Sequence, residues 1–131
     1  MKSIIELCRG LPDSESEIRE RATEFNFEIA TAIFSATARR DSTGRIEGIR
    51  FAGFQDTDRH YLNRIADAKA ATGAICARAG WFLEIYDRGD RWTVSLANEH
   101  GEIAVTASTE ELARAACALL AAEATIQDEK Q

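Results

Sequence analysis

From Trp81 onward, apolar and polar positions alternate along the chain. Trp81, Leu83 and Ile85 interleave with Phe82, Glu84 and Tyr86, which predicts a strand buried on one face and partly covered on the other. Asp87-Arg88-Gly89-Asp90 breaks that strand. Trp92, Val94 and Leu96 then alternate with Arg91, Thr93 and Ser95, and Asn98-Glu99-His100-Gly101 forms a second turn, with Asn and Gly where positive φ is expected. A third strand over 102–107 places Ile103 and Val105 on one face, so 81–107 reads as an antiparallel meander needing no long crossover. The period then changes. Ser108-Thr109-Glu110-Glu111 is a helix start, the Ser108 hydroxyl accepting from the backbone three residues on and Glu111 reaching back. Leu112, Ala115, Ala116, Leu119 and Leu120 share one stripe of a helix over 109–125, whose many alanines allow close packing on the sheet. Residues 127–131 are expected to form a frayed tail.

Upstream of the meander, Asp56-Thr57-Asp58 can cap a helix over 57–79, with Leu62, Ile65, Ala66, Ile75 and Cys76 on its buried side and Gly80 ending it. The first half of the chain admits two readings. Ser14 and Glu17 make a capping box, and Ile18, Ala22, Phe25, Ile29, Ala32 and Ala36 keep helical spacing. Phe25 to Ala38 is also dense in Phe, Ile and Thr, Asp41-Ser42-Thr43-Gly44 is a turn signal, and 46–54 reads as a strand that needs a neighbouring partner. The pairing requirement favours an N-terminal helix at 14–24 followed by a hairpin over 25–54. The fold class expected is α+β, in one domain over 1–126.

Composition narrows the function classes. The chain has 131 residues, 45% hydrophobic and 29% charged, with one Pro and eight Gly, the usage of an ordinary globular protein. Acidic residues outnumber basic ones 22 to 16, for a net charge of −6, so direct nucleic-acid binding is not expected. Glu6 and Arg9 interrupt any signal-peptide core, and no apolar run approaches the ~20 residues that span a bilayer. The expectation is a cytoplasmic protein without membrane contact. Cys8, Cys76 and Cys117 are odd in number and far apart, which fits reduced thiols rather than a disulfide framework or a zinc site.

Catalytic motifs are absent from the pattern. The two histidines, His60 and His100, lie far apart, and there is no phosphate loop, nucleophile elbow or paired His on a helix. His60 beside Asp56 and Asp58 could collect a metal, but N-capping already explains the Asp-Thr-Asp. No catalytic residue, metal or cofactor is expected. Arg88-Gly89-Asp90 spells an adhesion tripeptide, yet a hairpin turn accounts for it. Arg39, Arg40, Arg45 and Arg50 read as a charged hairpin end.

Charge placement carries more content. If 13–28 is helical, Asp13, Glu17, Glu20, Glu24 and Glu28 line one side, a repulsive stripe only partly relieved by Arg19 and Arg21. It reads either as a solvated helix face or as a docking surface for a basic partner. Asp13, Glu17, Glu20 and Glu24 are the candidate partner-binding residues, with Phe27 and Phe34 as aromatic anchors on a face away from Ile18 and Ile29. The acidity is not a detachable tail: residues 1–60 hold 9 basic and 11 acidic side chains, and 61–131 hold 7 and 11.

The helix, meander, helix order of residues 57–125 is similar to that of a double-stranded-RNA-binding domain. In that family the second helix opens with phosphate-gripping lysines, whereas Ser108-Thr109-Glu110-Glu111 stands here. The same half resembles small phage and prophage α-β-α sandwich proteins, through Gly80-Trp81 opening the meander, Trp92 after the first tight turn, Thr109 with an acid as the cap, and the Ala/Leu/Cys helix of Ala115 to Leu120. The net negative charge, the acidic stripe, the compact size and the lack of a catalytic set point to a non-enzymatic inhibitor, and the resemblance adds that it would be phage-encoded and act in the host cytoplasm. It would dock through its acidic surface on a basic host protein or a nucleic-acid-binding defence complex, in the manner of anti-CRISPR proteins. Two alternatives stand beside it: a homodimeric structural or chaperone-like protein pairing strands such as Trp81–Tyr86 across a two-fold axis, and an RNA-binding module with an atypical surface.

Overall fold

The alternation after Trp81 becomes a sheet. A computed structural model describes residues 2–44, 46–50 and 59–129. Its elements in chain order are α1 (Ile4–Arg9), α2 (Glu15–Glu20), α3 (Ala22–Phe34), β1 (Thr37–Arg40), β2 (Ile46–Arg50), α4 (Ile65–Ala79), β3 (Phe82–Asp87), β4 (Trp92–Asn98), β5 (Gly101–Ala107) and α5 (Glu110–Glu129). Strands β3, β4 and β5 form an antiparallel meander with β4 in the centre, and β1 pairs with β2 in a separate hairpin. The class is α+β, as the patterns indicate.

Helix α5 is the centre of the packing. Every residue from Leu112 to Ala122 is buried, so the helix is covered on all sides rather than on one stripe, and its one charge there, Arg114, is paired with Glu110 and bonded to Thr72. The helix lies on β4 and β5 and also touches α1, α3 and α4. Its alanines make this possible, since a short side chain lets a neighbouring backbone approach on every side. Val94, Leu96, Val105 and Ala107 meet it from the sheet, and Phe25, Ile29, Ala71 and Ile75 belong to the same buried cluster. Trp81 closes the far end, its Nε1–H donating to Thr125 Oγ1 at 3.2 Å.

The cap of α5 differs from expectation. Thr109 Oγ1, not Ser108, accepts from the Leu112 N–H at 3.3 Å. Ser108 instead gives its N–H to Glu15 at 2.8 Å and its hydroxyl to the other oxygen of the same carboxylate. Glu111 has no part in the cap, and Glu110 pairs with Arg114 at 2.6 Å. The helix continues to Glu129, past the Gln127 at which fraying is expected.

The N-terminal half corrects the hairpin reading. Residues 25–34 are helical, in α3, and among the described residues of this half strand pairing joins 37–40 with 46–50. Phe25, Ile29 and Ile33 are buried one above the other, and their combined burial outweighs a strand-like composition. Thr31, a poor helix former, bonds back to Phe27 O and Glu28 O at 3.0 and 3.1 Å. Ser35 then takes a left-handed conformation, φ 55°, which ends the helix, and the Ala36 N–H turns back to Ala30 O at 3.1 Å. Nor is 14–24 one helix. Arg21 (φ −111°, ψ 38°) divides α2 from α3, and Ser14 donates to Leu7 O instead of capping.

Helix α1, capped by Ser3 Oγ accepting from the Glu6 N–H at 3.2 Å, was not foreseen from the pattern. Helix α4 begins at Ile65 rather than 57, because His60 to Arg64 form turns, with the Arg64 N–H bonded to His60 O. The proposed cap at Asp56-Thr57-Asp58 lies outside the described residues. Gly80 does end α4, in a left-handed conformation with φ 67°.

Candidate interaction surfaces

An α-helix with its side chains is about 10 Å wide and strands lie ~4.8 Å apart, so one helix covers about two strands. Helix α5 covers β4 and β5. Strand β3 is left at the edge, and α4 touches it only slightly. Its inward residues Leu83 and Ile85 are therefore only half-buried, and its outward residues Phe82 and Tyr86 are the large hydrophobic side chains most exposed among the described residues, Phe82 at 75%.

The backbone of β3 is as open as its side chains. The Arg88 N–H donates to Arg91 O at 2.9 Å, closing a two-residue turn with Gly89 at its first central position, φ 93°. Hydrogen-bonded and non-bonded pairs alternate from there. Tyr86, Glu84 and Phe82 thus bond to β4, while the N–H and C=O groups of Leu83, Ile85 and Asp87 point to the open edge. No register shift interrupts the β3–β4 ladder.

Around the exposed aromatics the outer face is polar. Tyr86 donates its hydroxyl to Glu84, and the Arg88 guanidinium lies 5.6 Å over the Tyr86 ring. Hydrogen bonding to Glu84 is the main cause that raises the Tyr86 pKa. Thr93, bonded to Arg88 Nε at 2.9 Å and to Thr106 at 2.8 Å, and Ser95, bonded to Glu102 at 2.9 Å, are buried beneath longer neighbours. At the β4–β5 turn end, Phe82 borders an open groove of about 600 Å³ lined by Arg78, Gly80, Asn98, Glu99 and His100.

The acidic candidates do not form a continuous stripe, because the helix breaks at Arg21. Asp13 is exposed in the turn before α2; Glu17 is half-buried and Glu20 exposed on α2; Glu24 is exposed on α3. Arg21 pairs with Glu24 at 2.6 Å and donates to Lys2 O at 2.7 Å, and its hydrogen bond is the main cause that lowers the Glu24 pKa. Glu28 is half-buried on α3. Phe27 and Phe34 are half-buried against the core. Phe34 stacks on the buried Tyr61, ring centroids 6.0 Å apart, and the Arg59 guanidinium lies 5.9 Å from the centroid of the Phe34 ring. Among the described residues the exposed aromatics are Phe82 and Tyr86, legible in the sequence as strand residues but not as uncovered ones.

The remaining candidates occupy ordinary places. Arg88-Gly89-Asp90 is the hairpin turn, and His100 is exposed beside Glu99 in the next turn. The His60 N–H donates to Asp67 at 2.9 Å. No group of three or more His, Cys, Asp or Glu among the described residues is placed to hold a metal. All three cysteines are free, and burial is the main cause that pushes Cys8 and Cys117 up to about 12. No helix among the described residues is long and apolar enough to cross a membrane. Compared with known proteins, the chain has no significant match to a family model, a curated protein or a solved structure.

Proposed function

We propose that this protein acts by binding other polypeptides rather than by catalysis, with the open edge of β3 as its docking strand. The observation that supports this is one strand combining an exposed aromatic, Phe82, half-buried Leu83 and Ile85, and a row of outward backbone groups. Edge strands ordinarily carry a bulge, a Pro or inward charges that block pairing; β3 has no bulge and no Pro, and its inward charge, Asp87, stands at its last position. An added strand would find main-chain bonds along the edge and apolar pockets on alternate residues.

A second reading keeps the acidic face. Asp13 and Glu20 are exposed and make no ion pair among the described residues, which supports docking on a basic protein surface, the mode expected of a phage-encoded inhibitor. Affinity capture from source cells separates the two. Phe82→Ser with Tyr86→Ser should lose a partner that the wild type retains, while reversal of Glu17, Glu20 and Glu24 to Lys should not. Loss only on charge reversal would favour the acidic face, and an identical captured set in all three would sink both readings.

A further inference from the structure

We propose that the occupant of the β3 edge is a second copy of this chain, paired antiparallel about a two-fold axis at Ile85, so that two three-stranded sheets become one continuous sheet. This rests on the docking-strand reading above and names its partner.

The register follows from pleat and charge. A two-fold axis perpendicular to the sheet maps the outer face onto itself, so outward residues oppose outward ones. Only the residues at 83, 85 and 87 have backbone groups free to bond across the edge. An axis at Glu84 would set two carboxylates directly opposite, which is repulsive. An axis at Ile85 sets Ile85 against Ile85, Glu84 against the other copy's Tyr86, and Phe82 against its Arg88. The outward N–H and C=O groups of Leu83, Ile85 and Asp87 all find partners. Arg88 also comes diagonal to the opposing Glu84, within reach of a long side chain.

The same axis covers what is most exposed. Arg88, which already stacks over Tyr86 of its own strand, would lie over the opposing Phe82, the aromatic exposed at 75%. A strand pair is small beside the ~1,600 Å² of a standard interface, so the dimer is expected to dissociate in the micromolar range. Inward, the two Ile85 residues meet at the centre with Leu83 on either side, each Leu83 facing the other copy's Asp87 at the ends of the paired segment.

The test uses the full chain. Sedimentation velocity at micromolar concentration should show a dimer, and hydrogen exchange should show concentration-dependent protection at the Leu83, Ile85 and Asp87 amides. Phe82→Ser should raise the dimer dissociation constant at least tenfold with an unchanged far-ultraviolet dichroism spectrum. Ile85→Cys should form a symmetric disulfide on oxidation, because opposed Cα atoms lie ~5.5 Å apart in a bonded pair. Wild type is the control for Cys76, and preferential cross-linking of Glu84→Cys instead would overturn the register. A wild-type monomer across that range, or a dimer indifferent to Phe82→Ser, overturns the proposal. If the monomer still loses a captured protein on Phe82→Ser, the docking-strand reading survives without self-pairing; if capture is also unaffected, both fail.

Discussion

Helix α5 and strand β3 are both rich in apolar residues and stand in one half of the chain, yet they end in opposite environments. From Leu112 to Ala122 the helix has no exposed residue, whereas β3 is nowhere fully buried. The difference lies in neighbours. Short side chains let α5 receive the sheet on one side and α1, α3 and α4 on the others. Strand β3 has a neighbour on one edge only, and the helix layer ends before reaching it. Folding buries α5 completely and leaves β3 open at its edge.

The largest expected effect is on the α5 side of this contrast. Leu112→Ala should cost about 3 kcal/mol, read as a lower denaturant midpoint, since Leu112 is wholly buried and the cavity would be bounded by sheet and helices. A loss below about 1 kcal/mol would mean that α5 is not the centre of the core.

A smaller effect is expected where α2 clamps the start of α5. Burial raises the Glu15 pKa, but bonds from Ser108 and from Arg19 together outweigh it, and the net direction is down from 4.5. A carboxyl depressed on folding stabilises the fold above its unfolded pKa, and that contribution is lost as pH falls through the folded value. Glu15→Gln should therefore cost about 1 kcal/mol near neutrality. The variant should then converge on the wild type as pH falls below ~4. A constant difference across that range would show that shape, not charge, holds the clamp.

The smallest effect belongs to β3. Phe82→Ser, measured by denaturation at a concentration too low for association, should shift monomer stability by no more than about 0.5 kcal/mol. A loss comparable to that of Leu112→Ala would mean that Phe82 serves the core, and the contrast would collapse.

Legibility in the sequence followed the same division. The meander was readable because two-residue periodicity and turn residues such as Gly89 and Asn98 act locally. The end of α4 at Gly80 was readable for the same reason. Residues 25–34 were not, since Phe, Ile and Thr suit a strand as well as a helix, and the choice was made by burial of Phe25, Ile29 and Ile33 on a common face. The acidic row from Asp13 to Glu28 was drawn on a continuous helix, and the break at Arg21, stabilised by contacts to Glu24 and Lys2, dispersed it. Phe27 and Phe34 were placed as anchors by helical geometry alone, which cannot see that Tyr61 stacks on one of them.

By itself, then, the chain's pattern determined the α+β class, the meander with its turns, the helix that follows and an acidity spread through the body of the fold, because each depends on near neighbours or on a simple sum. Tertiary structure decided which apolar surface stays open. Phe25 and Phe82 are alike as residues: the packing of α3 on α5 leaves the first at no exposure, and the position of one helix over two of three strands leaves the second at 75%.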